Sequence, residues 1–256
     1  MLMSTPQLRL VTRGDDAGSC GSANRAILEA CEQGILRNVS IMVPGPAFEE
    51  AAKLFAHRPD ICLGLHVTLN AEWDGPKWGP VLPLKEVPSL VDENGYFFPT
   101  PKILYERGFE VEEVVAEVQA QLNKARAYGL NISYLDEHMG LSWLPGLRKE
   151  FANLAKREGL VDAHPLRHLP MKKDAGGNSA DRLIASLQAA TPGDYIFVTH
   201  PGYDADDMRL FQIGNQEPGS VARERDADRL LLLDPRVREA CQYLDVEVVL
   251  YTDVLT

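Results

Sequence analysis

Short β-rich runs alternate with helix-period runs along nearly the whole chain, and this alternation restricts the fold more than any other feature. The strand candidates are LRLVT at 8–12, NVSIMV at 38–43, ICLGLHVTL at 61–69 and ISYLD at 132–136. Three more follow: VDAHPLRHL from 161, weakened by Pro165, then YIFVTH from 195 and VEVVLY from 246. Between them, Ala23, Ala26, Ile27, Ala30 and Cys31 make one helical stripe, with Ser22 as the expected cap and Gly34 as the stop. Val111, Val114, Val115, Val118 and Leu122 repeat at helical spacing up to Gly129, and further helical runs cover 47–55, 146–158, 180–190 and 234–244. Strands separated by helices predict an α/β fold with parallel strands and helical crossovers. With 256 residues and 45% hydrophobic composition, one barrel-type domain over 1–256 is expected.

Composition removes several classes of partner. A formal charge of -11 and a pI near 5.0 repel phosphate backbones and anionic surfaces, so no nucleic acid and no membrane partner is expected. No window has the apolar length of a membrane span, and MLMSTPQLRLVT lacks the pattern of a secretory leader. Cys20, Cys31, Cys62 and Cys241 are scattered without a CxxC pair, which suits reduced thiols and a cytoplasmic location.

Residues 71–108 break the alternation. They are rich in Pro, Gly and Trp, with Asn94-Gly95 at the expected tip of a hairpin in DENGYFF. A stretch this long without periodicity is expected as an insertion near an active-site mouth. Trp73, Trp78, Tyr96 and Phe97 within it suit either stacking on a sugar ring or plain packing onto the barrel.

The polar residues fall at one edge of this scaffold. Asp15 and Asp16 end the first strand, His66 lies late in the third, His138 follows the fourth and His200 ends the sixth. In parallel α/β sheets and barrels, the C-terminal strand ends are where active sites assemble. In the third strand, Leu63, Leu65, Val67 and Leu69 share one face, which leaves Gly64, His66 and Thr68 on the other. Two imidazoles and a carboxylate suit a divalent ion with open coordination positions. A second carboxylate could then accept a proton from water. Adjacent residues of an extended strand point opposite ways, so using both aspartates requires a local turn, which Gly14 and Gly18 would ease.

GDDAG, SANRAILEACEQGILRNVSIMVPGPAFEEAA, GLHVTLN, LDEH, HPG and RERDADRLLLLDPRVREA, in that order, resemble the YdjC-like carbohydrate deacetylases, which include chitooligosaccharide deacetylase. The resemblance spans nearly the whole chain. It implies a seven-stranded β/α barrel-like fold of the polysaccharide deacetylase type. It also implies metal-dependent hydrolysis of an N-acetylated sugar or oligosaccharide, with acetate released and zinc or magnesium as the divalent cofactor. By position, it implies His66, His138 and Asp16 as metal ligands, Asp15 as general base and His200 as general acid. The sequence leaves the division between Asp15 and Asp16 open. Arg167 is the implied substrate contact, Asn24 a support for the aspartate loop, and a homodimer stays open.

The chain departs from the family's D-S-H-x-H-x-H pattern: DEHMGLS keeps Asp136 and His138 but has Gly140 and Ser142 where two histidines are common. That departure keeps two alternatives in view, a non-catalytic carbohydrate-binding protein on the same barrel and another metal-dependent hydrolase such as a phosphoesterase. Arg13, standing where the family commonly has Asn, reads as an exposed solvated charge. RERDAD reads most simply as a solvated helix face with paired charges, while its family resemblance leaves a role at the site or at an interface open. His57 reads as a surface residue at a helix C-terminus; His164 and His168 flank Arg167 and read first as structurally hydrogen-bonded, with the alternative that one of them faces the site.

Overall fold

In the computed structural model, which describes residues 8–172 and 176–255, the alternation becomes eight strands and nine helices. Most of the N-terminal stretch read above for a leader lies outside the described residues. The strands are β1 (Leu8–Ala17), β2 (Asn38–Ile41), β3 (Cys62–Val67), β4 (Ile132–Glu137), β5 (Val161–Asp162), β6 (Arg167–His168), β7 (Gly193–Thr199) and β8 (Val246–Val249). The helices are α1 (Gly21–Gln33), α2 (Phe48–Phe55), α3 (Pro101–Arg107), α4 (Val111–Ala127), α5 (Leu147–Glu158), α6 (Ser179–Ala189), α7 (Ser220–Leu233), α8 (Pro235–Tyr243) and α9 (Tyr251–Val254).

All strand pairs are parallel, in the order β5-β4-β3-β2-β1-β7-β6. The eighth strand, β8, pairs with β1 over Leu8–Val11, below the point where β2 takes over at Arg13. The weak fifth strand of the sequence is two strands. Pro165 cannot donate to a ladder, and the segment splits into β5 and β6, which pair at opposite ends of the sheet. Only residues 163–166 connect them, so the two edges cannot stand more than roughly 18 Å apart. The sheet therefore curls into a half-barrel with one unpaired seam.

Strand alternation sorts the two faces as expected. Leu8, Leu10, Leu63 and Leu65 pack outward with the helices, while Val11, Cys62, Tyr134, Ile196 and Tyr251 form a separate interior cluster. Gly64 is required inside, since a Cβ there would stand 2.1 Å from the Tyr134 ring. The stop of α1 at Gly34 is as expected, but its start is not. Ser22 lies inside the helix, where its N–H (2.9 Å) and hydroxyl both donate to the Asp207 carboxylate, an N-terminal partner 185 residues away. All four cysteines are buried and unpaired.

Within 71–108 the expected hairpin is reduced to a single antiparallel bridge, Val91 to Phe97, with Asp92 Oδ1 accepting the N–H groups of Asn94 and Tyr96. Trp73, Trp78 and Phe97 are buried, and the Trp78 indole donates to the Asn70 carbonyl, so packing is their role; Tyr96 is exposed. The segment is anchored from α4: Glu117, fully buried, accepts the N–H groups of Val81 (2.9 Å) and Leu82 (3.0 Å). No helix among the described residues is long and apolar enough to cross a membrane.

Candidate metal centre and active site

Both aspartates reach the barrel mouth through a bulge rather than a turn beyond the strand. The pairing of β1 with β2 shifts register between Gly14 and Ala17, and Asp16 adopts φ 67°, a left-handed conformation that Asp tolerates better than most residues. This conformation costs about 1–2 kcal/mol. Gly18 follows at φ 106°, with Met42 O 2.5 Å from where a Cβ would lie. Its N–H donates to Asn24 Oδ1 at 2.7 Å, and the Asn24 amide donates to Ala47 O and Glu50. Asn24 thus holds the loop after the aspartates.

Asp16 Oδ1, His66 Nε2 and His138 Nδ1 form a triangle with edges of 3.2, 3.3 and 3.5 Å. Ligands held about 2.1 Å from a tetrahedral zinc stand about 3.4 Å from one another, so the triangle fits such an ion. Asp16 Oδ1 is buried and, despite its proximity to two ring nitrogens, accepts no hydrogen bond in acceptable geometry. A buried acceptor without a donor is costly unless a cation serves it. Asp15, His66 and Asp136 make a second cluster of metal-ligand type, but the Arg13 guanidinium already pairs with both of its carboxylates.

The outer nitrogens of both imidazoles are occupied. His66 Nδ1 lies 3.0 Å from Asp136 Oδ2, and His138 Nε2 lies 3.1 Å from Glu72. A carboxylate on the far nitrogen fixes the ring and its tautomer, which is how metal-binding histidines are commonly supported. Ser40 also donates to Asp136 Oδ2, at 3.1 Å, and itself meets the Tyr134 hydroxyl.

The charges are strongly coupled. Burial disfavours the charge on Asp16, but His138, His66 and Arg225 hold its carboxyl well below the usual range. Burial lowers the His66 pKa, yet Asp136, Asp15 and Asp16 raise it to about 10. The same opposition, with Asp16 and Glu72 as partners, leaves His138 at about 9. The surrounding carboxylates thus favour the protonated form of both rings when no ion is bound.

Arg13 is a correction to the sequence reading. It is largely buried rather than solvated, with 12% of its side chain exposed, donating from Nε and NH2 to the two oxygens of Asp15 at 2.6 and 2.8 Å. Its NH1 lies 2.9 Å from Asp136 and 3.1 Å from the Tyr251 hydroxyl. RERDAD is not simply a solvated face either: Arg225 lies 3.2 Å from Asp16 Oδ2, and Asp228 accepts the backbone N–H of His200 at 2.8 Å. Burial pushes Asp228 up to about 6, against the opposing charge of Arg225.

The His200 side chain is 40% exposed, with Nε2 4.0 Å from Asp15 Oδ2. Arg167 is not brought to this cluster. Its guanidinium stacks on Tyr195, 4.4 Å from the ring centroid, and Tyr195 belongs to the outer core. Strand alternation turns the next residue, His168, toward the mouth instead, where it lines a cleft together with His164. Exposed His57 follows the end of α2, at the surface position expected for it.

Glu72, Arg13, Asp136 and Arg225 are the site residues that sequence reasoning did not place. Period-2 spacing could have found two of them, since Arg13 shares a strand face with Asp15 and Asp136 lies in register with His66. Glu72 and Arg225 carry no local signal.

Comparison with known proteins shows the family and the fold. The family model described as YdjC-like protein matches residues 9–243. A carbohydrate deacetylase of Thermoanaerobacter pseudethanolicus is 26% identical, over 89% of this chain and 92% of the relative. A human carbohydrate deacetylase is 32% identical over 68% of this chain and 52% of its own length. Among solved structures, a proposed cellobiose-phosphate cleavage protein of Enterococcus faecalis superimposes with a TM-score of 0.81 at 21% identity, over 97% of this chain and 99% of the other. That likeness carries the fold alone.

Proposed function

We propose that this chain, which belongs to the YdjC-like protein family, hydrolyses the acetamide of an N-acetylated sugar to release acetate and a free amine. The observation that carries the reading is the Asp16, His66 and His138 triangle beside Asp15, in a chain whose relatives are named carbohydrate deacetylases. A divalent ion held by those three residues would polarise the amide carbonyl and acidify a water. Two imidazoles with one carboxylate favour zinc or another transition ion over magnesium, which prefers oxygen ligands.

The chain's own residues supply the remaining chemistry. Asp15 accepts the proton of the attacking water. Arg13 occupies one lone pair on each Asp15 oxygen and leaves the others for that proton. Arg225 takes Asp16 Oδ2 and so directs Oδ1 toward the imidazoles. Asp136 and Glu72 keep the metal-facing nitrogens of His66 and His138 unprotonated once the ion is present. Half-exposed His200, at the outer side of Asp15, donates a proton to the departing amine.

The test is acetate release from a panel of N-acetylated sugars by protein stripped of metal and refilled with zinc, cobalt, manganese or magnesium. Release that depends on the added ion is expected. Absence of acetate with every ion and sugar, from folded and metal-loaded protein, would overturn the reading.

A further inference from the structure

Met139, next in the chain to His138, stands at φ 55°, with Gly140 behind it at φ 64°. A left-handed backbone is unfavourable for a side chain as bulky as Met and persists where the surroundings impose it. Here they do so on both sides. The His138 N–H donates to Val67 O at 2.9 Å, and the N–H groups of Leu141 (2.6 Å) and Ser142 (2.7 Å) donate to Glu137. Met139 is 48% exposed, yet its sulfur lies 2.8 Å from Nδ2 of the fully buried Asn70. We propose that Met139 is a peroxide-sensitive modification site, whose oxidation to the sulfoxide loosens the hydrogen bonds that support His138 and so weakens metal binding. The inference rests on the metal-centre part of the proposed function and is independent of the substrate.

Asn70 is the link between the thioether and the centre. Its amide nitrogen has two hydrogens, one for the Met139 sulfur and one for Glu72 Oε2 at 3.2 Å. Glu72 in turn lies 3.1 Å from His138 Nε2. Asn70 Oδ1 is buried without a partner, so the contacts of the nitrogen set the orientation of this amide. The Asn70 main chain is fixed separately, by the Trp78 indole on its carbonyl at 2.7 Å.

A separation of 2.8 Å between sulfur and nitrogen leaves no room for an oxygen atom between them. The sulfoxide therefore cannot keep the present arrangement, and the pinned backbone on either side of Met139 confines the change to side chains. Either the Met139 side chain swings out, which strips Asn70 of one partner, or the Asn70 amide turns to the S–O oxygen, a stronger acceptor than the thioether, and leaves Glu72. Both loosen the carboxylate that orients His138, and partners of that kind are worth about 10- to 100-fold in metal affinity. In the oxidation a peroxide gives one oxygen atom to a sulfur lone pair. Its O–O bond breaks, the S–O bond forms, sulfur loses two electrons to the peroxide, and water leaves.

Met139 is also a sulfur within reach of solvent. Among the described methionines, Met42 and Met208 are buried, and Met171 is exposed. All four cysteines are buried. Burial pushes Cys20 and Cys241 up to about 11 and Cys31 up to about 12, so little of the thiolate that peroxide attacks is present on them at neutral pH.

The test exposes zinc-loaded wild type, Met139→Leu and Met171→Leu to hydrogen peroxide and ends the exposure with catalase. Peptide mass spectrometry locates the added oxygen, and competition with a chelating dye gives the zinc affinity before and after. In wild type and in Met171→Leu, oxygen should appear on Met139 and zinc affinity should fall about 10- to 100-fold. Methionine sulfoxide reductases should restore it, and Met139→Leu should keep its own untreated affinity after peroxide. Oxygen on Met171 with none on Met139, an oxidised Met139 with unchanged zinc affinity, or an equal fall in Met139→Leu would overturn the proposal. Loss of zinc affinity on Met139 oxidation, in a protein that releases acetate from no sugar, would keep the modification site and sink the deacetylase reading. Weak zinc binding by the untreated wild type would overturn both.

Discussion

Arg13 joins the chemistry at the barrel mouth to the barrel interior. One guanidinium holds Asp15, Asp136 and Tyr251, and through Asp136 it reaches the ring of His66. Removing one partner of a buried charge cluster leaves the others uncompensated, at a cost of about 3–5 kcal/mol. Arg13→Met should therefore lower the unfolding free energy by that amount, read as a lower urea midpoint, while Arg13→Lys should recover only part of it, because an ammonium cannot make the two-pronged contact. A midpoint unchanged in Arg13→Met would mean that the guanidinium contributes little to the fold. Asp15→Asn probes the chemistry separately. The amide cannot accept the water proton, so acetate release should fall about 10²–10⁴-fold. Bound metal, measured by elemental analysis, should stay at the wild-type level, because Asp15 lies outside the Asp16, His66 and His138 triangle. Loss of metal in Asp15→Asn would instead make it a ligand.

At the scale of elements, the site depends on parts that are held in place from far along the chain. The 71–108 segment supplies Glu72 to His138, and α4 fixes that segment through Glu117. Burial pushes the Glu117 pKa up even though two backbone N–H groups and Gln121 stabilise its charge. Glu117→Ala strands those two N–H groups, each at about 1–3 kcal/mol. Thermal unfolding should drop accordingly, and amide exchange at Val81 and Leu82 should speed up relative to β1 and β3. Equal protection in variant and wild type would show that other contacts hold the segment. The same dependence on distant partners explains which parts of the molecule the sequence disclosed. The faces of β3 followed from its period-2 pattern, and His66 came out inward because Leu63 and Leu65 had to face the helices. β5 and β6 did not, since two residues carry no period and their pairing is set by which sheet edge each meets. The start of α1 was misplaced for a related reason: Asp207, the carboxylate serving its first turn, belongs to a loop after β7. Arg225 and Glu72 were missed because a polar residue on a helix or in an irregular segment has no spacing that tells a buried contact from a solvated one.

For the molecule as a whole, metal, protons and folding are linked through two histidines. In the metal-free protein His66 at about 10 and His138 at about 9 lie above the ordinary imidazole value near 6.5. Their folded pKa values are raised, so protonation-linked stability is fully present below about pH 6.5 and is lost as pH climbs through 9 to 10. Metal binding has the opposite sign, because a ligating nitrogen must be free of its proton, so each ion captured at neutral pH displaces protons from these two rings. Metal affinity should therefore rise with pH until both imidazoles are neutral. A ligand that binds only the folded state stabilises it by RT ln(1 + [L]/Kd). At a fixed zinc concentration, the increase in melting temperature over the chelated protein should then be small at pH 6 and grow through pH 8. Calorimetry in buffers of different ionisation enthalpy should report between one and two protons released per ion near pH 7.5, as two raised imidazoles require. Cobalt should follow the same pH dependence, because it competes for the same two nitrogens. A metal-induced shift that is flat from pH 6 to pH 8, with no proton release, would place the bound ion away from His66 and His138.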